Sequence, residues 1–215
     1  MLEIPEPNPK IASAVAVAKE LNDMHGLAQA LYFSGWLTHF ERNPAKVERL
    51  ASEVIELSTR YNFAFWMVAA TILRGWARSA LGDTTEGISW IENGIGDYRA
   101  TGSIIVLPFD LALKAEALHL ADRTSEALEA IKEADALVER SDERWWCAEL
   151  HRLRAVFLAN LGADESQIEA SFSAAIRTAK EQKSVSLAAR AEASCAEYCR
   201  QKSSASGRRG FRLPL

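Results

Sequence analysis

The chain has 215 residues, 48% hydrophobic and 25% charged, which is room for one continuous core or one repeat array. A net charge of −4 argues against the broad basic footprint of a nucleic-acid binder. Three cysteines, Cys147, Cys195 and Cys199, are too few and too unevenly spaced for a disulfide framework, so a reducing, cytoplasmic setting is expected.

In chain order, residues 1–9 carry three prolines and read as an N-terminal linker, without the basic-then-apolar order of a signal peptide. A first helix is expected over 10–21. Helix A1 follows from about Leu27 to Phe40, and Pro44 opens helix B1, where its missing N–H is harmless. B1 runs to about Tyr61 and A2 from about Phe63 to Leu81. The run 63–73 is apolar but too short to span a bilayer, so no membrane role is expected. After Gly82-Asp83, Thr84 or Thr85 is the expected cap of B2. Residues 103–107 (SIIVL) are assigned to a loop entering A3, which runs from near Pro108 to Ala121. B3 extends to about Arg140. Ser141-Asp142-Glu143 are expected to cap A4, which reaches Leu161. B4 extends to about Lys183 and A5 covers about Ser186 to Lys202. Residues 203–215, with Arg208, Arg209 and Arg212 and no acidic side chain, read as a disordered basic tail. Such a tail leaves weak, non-specific nucleic-acid binding as a minor reading.

The A and B helices echo each other at a fixed step. The eighth position of successive A helices is Gly35, Gly75, Ala115 and Ala155, forty residues apart each time. Early B positions Val47, Gly87 and Ala127 keep that step, as do Val54, Gly94 and Ala134 further along. In the fourth unit the register slips by one, to Ile168, Phe172 and Ala175. A small residue where two helices cross lets their axes approach to the short end of about 8–10 Å. Gly87 and Gly94 are explained in this way; Gly96 is not.

This pattern resembles the tetratricopeptide repeat, most strongly from Leu73 to Gly94 and from Ala115 to Ala134, although the usual unit is ~34 residues. HEAT-type repeats of ~40–47 residues are the structural alternative. The implied fold is an all-α helical-hairpin solenoid of about ten antiparallel helices. Its units are expected at 25–62, 63–102, 103–142 and 143–183, with partial units at both ends of a repeat domain spanning 10–202.

Two strings carry a narrower resemblance. One is Trp66 with Thr71–Ala77, Glu86-Gly87-Ile88 and Tyr98–Gly102; the other is Glu143–Trp146 with Ala148–Arg154. They are similar to the C-terminal repeat region of large bacterial signalling ATPases, in which a nucleotide cyclase or DNA-binding activator domain often precedes the ATPase. The resemblance implies a regulatory scaffold related to such proteins. It also suggests a fragment of a longer ancestral chain, with uncapped ends through which copies could self-associate.

No P-loop, dinucleotide fingerprint, HExxH, EF-hand loop or Gly-x-Ser-x-Gly occurs, so no enzyme and no cofactor are expected. Cys147 and His151 share one face of A4, and Cys195 and Cys199 one face of A5. Adjacent A helices could bring these four together as zinc-type ligands. The stronger reading makes them core residues, with no metal.

The repeat register turns Gln29, Tyr32, Trp36, His39, Ile72, Trp76, Ser79, Phe109, Glu116, His119, Glu149 and Arg152 toward the inner wall. Tyr, Trp and Arg anchor interfaces, so a concave groove for a protein or peptide partner is expected. Its contacts would be Tyr32, Trp36, His39, Trp76, Phe109, Glu116, His119, Glu149 and Arg152. Replacing Trp36 and Trp76 by Ala is expected to weaken partner capture and leave the fold intact. A small-molecule sensing domain and a non-functional remnant are the competing readings.

Overall fold

The computed structural model describes residues 9–203; the linker at 1–8 and the tail at 204–215 lie outside the described residues. Among them are ten α-helices and no strand. The helices are α1 (Pro9–Glu20), α2 (Met24–Phe40), α3 (Pro44–Tyr61), α4 (Ala64–Ala80), α5 (Thr84–Ala100), α6 (Leu107–Leu120), α7 (Thr124–Ser141), α8 (Cys147–Asn160), α9 (Glu165–Glu181) and α10 (Val185–Ser203). This is the expected all-α helical-hairpin class. None of these helices is long and apolar enough to cross a membrane.

The chain divides into two compact units that meet between Gly102 and Ser103. In the first, α1 packs on α2, and α2 to α5 pack in succession, with α2 also beside α4. In the second, α6/α7 and α8/α9 form hairpins; α10 packs on α9 and α8, and α8 lies beside α6.

A left-handed residue closes nearly every helix, and these residues recur every twenty positions. They are Asn22, Arg42, Asn62, Gly82, Gly102, Asp122, Asp142 and Gly162, and then Lys183, one residue late. Positive φ stops an α-helix and turns the chain back, so the forty-residue repeat is two helix-plus-turn steps of twenty. The late step at Lys183 matches the register slip in α9, where Ile168, Phe172 and Ala175 are all buried.

Helix starts follow local chemistry. The side chains of Asp23, Asn43 and Asp83 accept from the backbone N–H of Gly26, Lys46 and Glu86 at 2.9, 3.1 and 3.3 Å. The cap of α5 is therefore Asp83, not Thr84 or Thr85, because Thr84 already lies inside the helix. The cap expected for A4 is corrected as well. Ser141 ends α7, Asp142 turns left-handed, and α8 begins only at Cys147. Glu143 instead accepts the Val106 N–H with both carboxylate oxygens at 3.0 Å, and the Trp145 Nε1–H at 2.7 Å. Val106 has φ 60°, a costly conformation for a β-branched residue, and the Glu143 bonds hold it there.

The small residues act where expected. A Cβ on Gly75 would meet the carbonyl oxygen of Gly87, one on Gly94 would meet Ile72, and one on Gly35 would meet Leu73. Gly96 faces open space, so no close approach accounts for it.

Candidate functional site

In the first unit, α2 and α4 build an aromatic wall. Ring contacts run unbroken from Trp66 to Tyr32 (5.5 Å), Trp36 (5.9 Å), Phe40 (6.4 Å), His39 (5.6 Å) and Trp76 (4.4 Å). Helical spacing produces this: Tyr32, Trp36 and Phe40 are four apart, so they share one face of α2. His25 ties in the upper end, its Nε2 accepting from Trp66 Nε1–H at 3.0 Å. The Arg42 guanidinium lies 5.7 Å from the Trp76 ring centroid. Tyr32, His39 and Trp76 are buried and Trp36 is partly exposed; Phe33, against Trp36 and Trp66, is 38% exposed, and Phe65, against Trp66 and Tyr98, is 51% exposed.

Elsewhere in this unit α3, α4 and α5 share a polar cluster. Arg74 stacks on Trp90 at 4.4 Å. Arg78 donates to Asp83 and Glu86 at 2.9 and 2.7 Å and approaches Glu48 at 3.6 Å. The Glu86 N–H first, and Arg78 after it, hold the Asp83 carboxyl below the usual carboxylate range. Repeat register alone does not reveal this cluster. Its signal was Arg74 and Arg78 four apart on one helix, opposite Glu86 and Trp90 four apart on the next.

The second unit places charge where the first places rings. Arg152 donates Nε–H and an Nη2 hydrogen to the two oxygens of Glu149 at 2.9 and 2.7 Å, and Nη1–H to Ser194 Oγ at 3.0 Å. Arg190 adds a bond to Glu149 at 2.6 Å. Glu149 and Arg152 are 1% and 2% exposed, so this network locks α8 to α10. Phe109 packs 5.6 and 5.3 Å from Trp145 and Trp146. His119 Nδ1 lies 3.0 Å from Thr124 Oγ1, and its ring 5.1 Å from Phe157. Glu116 and Asp110 are buried on α6; burial first, and nearby Glu143 second, push the Asp110 carboxyl well above its ordinary range.

Of the nine expected groove contacts, Trp36 alone reaches solvent; Tyr32, His39, Trp76, Phe109, Glu116, His119, Glu149 and Arg152 are all buried. Gln29 is exposed, whereas Ile72 and Ser79 are buried. The structure joins Tyr32, Trp36, His39 and Trp76 in one cluster, and Glu149 with Arg152 in another. In the first unit's wall His25, Phe33 and Phe65 are exposed and Trp36 and Phe40 partly so.

The expected core placement of these residues is corrected: Cys199 is exposed, and Cys147, His151 and Cys195 are half-buried. Among the described residues no group of three or more His, Cys, Asp or Glu is placed to hold a metal ion. Cys147 and His151 instead line a cavity of about 540 Å³ between α7, α8 and α9, with Asp135, Glu139, Arg154 and Thr178 on its walls. Burial raises the Cys147 thiol pKa, and burial followed by Arg177 lowers that of the His151 imidazole. Arg154 pairs with Asp135 across the cavity wall.

No family model matches the chain. It is 24% identical over 187 residues to an uncharacterized protein of Rhizobium meliloti (strain 1021), a match covering 87% of this chain and 18% of that protein. The chain thus spans about a fifth of the length of the curated relative it matches. Among solved structures it is similar to Bacillus thuringiensis PlcR in complex with the peptide PapR7 and DNA. That TM-score is 0.56 at 15% identity, over 96% of this chain and 78% of PlcR. It also matches the apo form of RapI, with a TM-score of 0.49 at 11% identity over 94% and 87% of the two chains. The likeness to PlcR supports the tetratricopeptide-like helical class.

Proposed function

We propose that the chain is a regulatory repeat module that captures an extended protein or peptide segment on its A-helix wall, with no chemistry of its own. The observation that carries this reading is the aromatic run from Trp66 to Trp76, which meets solvent at Trp36, Phe33 and Phe65. Adjacent exposed aromatics on a helical face mark interaction sites. The PlcR structure, of the same fold class, holds a peptide. The much greater length of the Rhizobium relative accords with a module that works inside larger regulatory proteins, such as the signalling ATPases and cyclases that the two sequence strings resemble. The test is selection from a peptide library, followed by titration of Trp36→Ala. Loss of binding with unchanged helical circular dichroism supports the reading; binding indifferent to Trp36 overturns it.

The cavity beside Cys147 and His151 favours a second reading, a small-molecule sensor. A metabolite panel should then raise the melting temperature of the wild type, and His151→Leu should abolish the rise.

A further inference from the structure

We propose that the cavity between α7, α8 and α9 binds a linear aliphatic diamine or polyamine, its ammonium groups held by Glu139, Gln182 and Glu181. The inference rests on the reading of that cavity as a small-molecule site. It names the ligand class: an organic cation with an apolar stem.

Three observations lead there. The first is the balance of charge on the walls. The cavity holds about 540 Å³, within the range of about 300–1,000 Å³ usual for small-ligand sites. Its walls bring three carboxylates, Asp135, Glu139 and Glu181, against two guanidinium groups, Arg144 and Arg154. Both guanidinium groups are already engaged. Arg144 donates to Asp142. Arg154 pairs with Asp135, and its Nη1 lies 3.3 Å from His151 Nδ1. An anionic ligand would have to displace a carboxylate that is already in place.

The second is the set of acceptors left over. Glu139 makes no hydrogen bond and no salt bridge among the described residues. Its charge nevertheless acts on Arg144 and Cys147, so the carboxylate stands at the cavity. Gln182 is fixed by its Nε2–H, which donates to the Arg144 carbonyl at 2.6 Å. Only the amide nitrogen can donate, so the other end is the oxygen. That Oε1 is buried and accepts no hydrogen bond among the described residues. A buried acceptor without a donor is costly, and an ammonium group brings three N–H donors. Glu181 lies 4.0 Å from Arg177, and both side chains are largely exposed. Such a pair contributes little and yields readily to a better cation.

The third is the placement of these groups along the helices. Glu139 is in the last turn of α7, Glu181 ends α9, and Gln182 caps it. Two helix C-termini thus reach the cavity, against the single N-terminus of α8 at Cys147. The carbonyl end of a helix favours positive charge. Between the two acidic walls lie Val138, which is buried, and Cys147, which packs as a small hydrophobe. Methylene groups suit that stretch, with an ammonium at either end.

The test is calorimetric titration of the full chain with 1,4-diaminobutane and with spermidine. Saturable binding is expected, and Glu139→Gln should weaken it about tenfold with the helical signal unchanged. Glu133→Gln, on α7 but outside the cavity, should leave binding as it is. Equal weakening by the two variants, or by neither, overturns the proposal, because the amines would then be answering the chain's overall negative charge. Binding of 1,4-butanediol or succinate as tight as that of the diamine also overturns it. A compound of another class that raises the melting temperature through His151, in a chain that ignores both amines, overturns it and leaves the small-molecule reading standing. A chain that responds to neither the amines nor a metabolite panel overturns both.

Discussion

A Cβ added to Gly75 would stand 2.6 Å from the carbonyl oxygen of Gly87, and one added to Gly87 would strike the carbonyl oxygen of Gly75 in turn. The two helices of this hairpin meet backbone to backbone, and neither glycine can acquire a side chain while the crossing holds. Gly75→Ala or Gly87→Ala should therefore destabilise the chain by about 1–3 kcal/mol, overpacking outweighing the gain in helix propensity. Gly96→Ala is the control. Gly96 sits on α5 with nothing within 4 Å of a new Cβ, so it should stabilise by about 0.5–1 kcal/mol. Urea midpoints of the three variants must move in these opposite directions.

Glu149 sits among Arg152, Arg190 and Ser194 at the α8–α10 contact, nearly without water. Removing its carboxylate takes the charge partner from the buried Arg152 guanidinium, so Glu149→Ala should cost about 3–5 kcal/mol. Arg190→Ala should cost much less, because its side chain is 21% exposed and Arg152 still satisfies Glu149. Thermal melts of the two variants that give equal losses would show that the network does not work as drawn.

The repeat was legible because its causes are local. Small residues at Gly35, Gly75, Ala115 and Ala155 mark helix crossings, and turn-forming residues mark the ends. Register alone groups Tyr32, Trp36, His39 and Trp76 on the A helices, and the structure joins them in one ring cluster. Burial was not legible, because periodicity tells which way a side chain points and not what covers it. The caps went wrong where two candidates stood side by side. Asp83 outcompetes Thr84 because its carboxylate reaches the Glu86 N–H from outside the helix. Glu143 was read as a cap, but its best donors come from Val106, thirty-seven residues away. The Cys-x₃-His spacing correctly put Cys147 and His151 on one face, yet spacing carries no distance to α10.

Asp110 should give the chain a specific pH response. Its folded-state carboxyl is held protonated well above the ordinary range by burial and by Glu143. The unfolded carboxyl releases its proton in the ordinary range. Between the two, the folded state binds more protons than the unfolded one, so stability from this site falls as pH rises through that window and stays lost above it. Asp110→Asn should raise the melting temperature at neutral pH, by on the order of 1–2 kcal/mol in stability. The gain should shrink as pH is lowered towards the ordinary aspartate range. A gain that is constant with pH would assign it to packing.

Trp36 and Trp76 share a wall but answer different questions. Trp76 is fully buried, with His39 against its ring at 4.4 Å. Its replacement by Ala removes core and should cost about 3–5 kcal/mol. The expectation that both tryptophans could be changed without harm to the fold is thus corrected for Trp76. Trp36 is partly exposed in the same ring run, and without it Tyr32 and Phe33 still touch Trp66, and Phe40 still touches His39. Trp36→Ala should therefore lower stability by no more than about 1–2 kcal/mol and remove the apolar anchor on which the proposed peptide capture depends. Measured together, a folded Trp36→Ala protein that no longer binds and a destabilised Trp76→Ala protein would separate recognition from core. Unfolding of both would place Trp36 in the core and move the contact surface to Phe33 and Phe65.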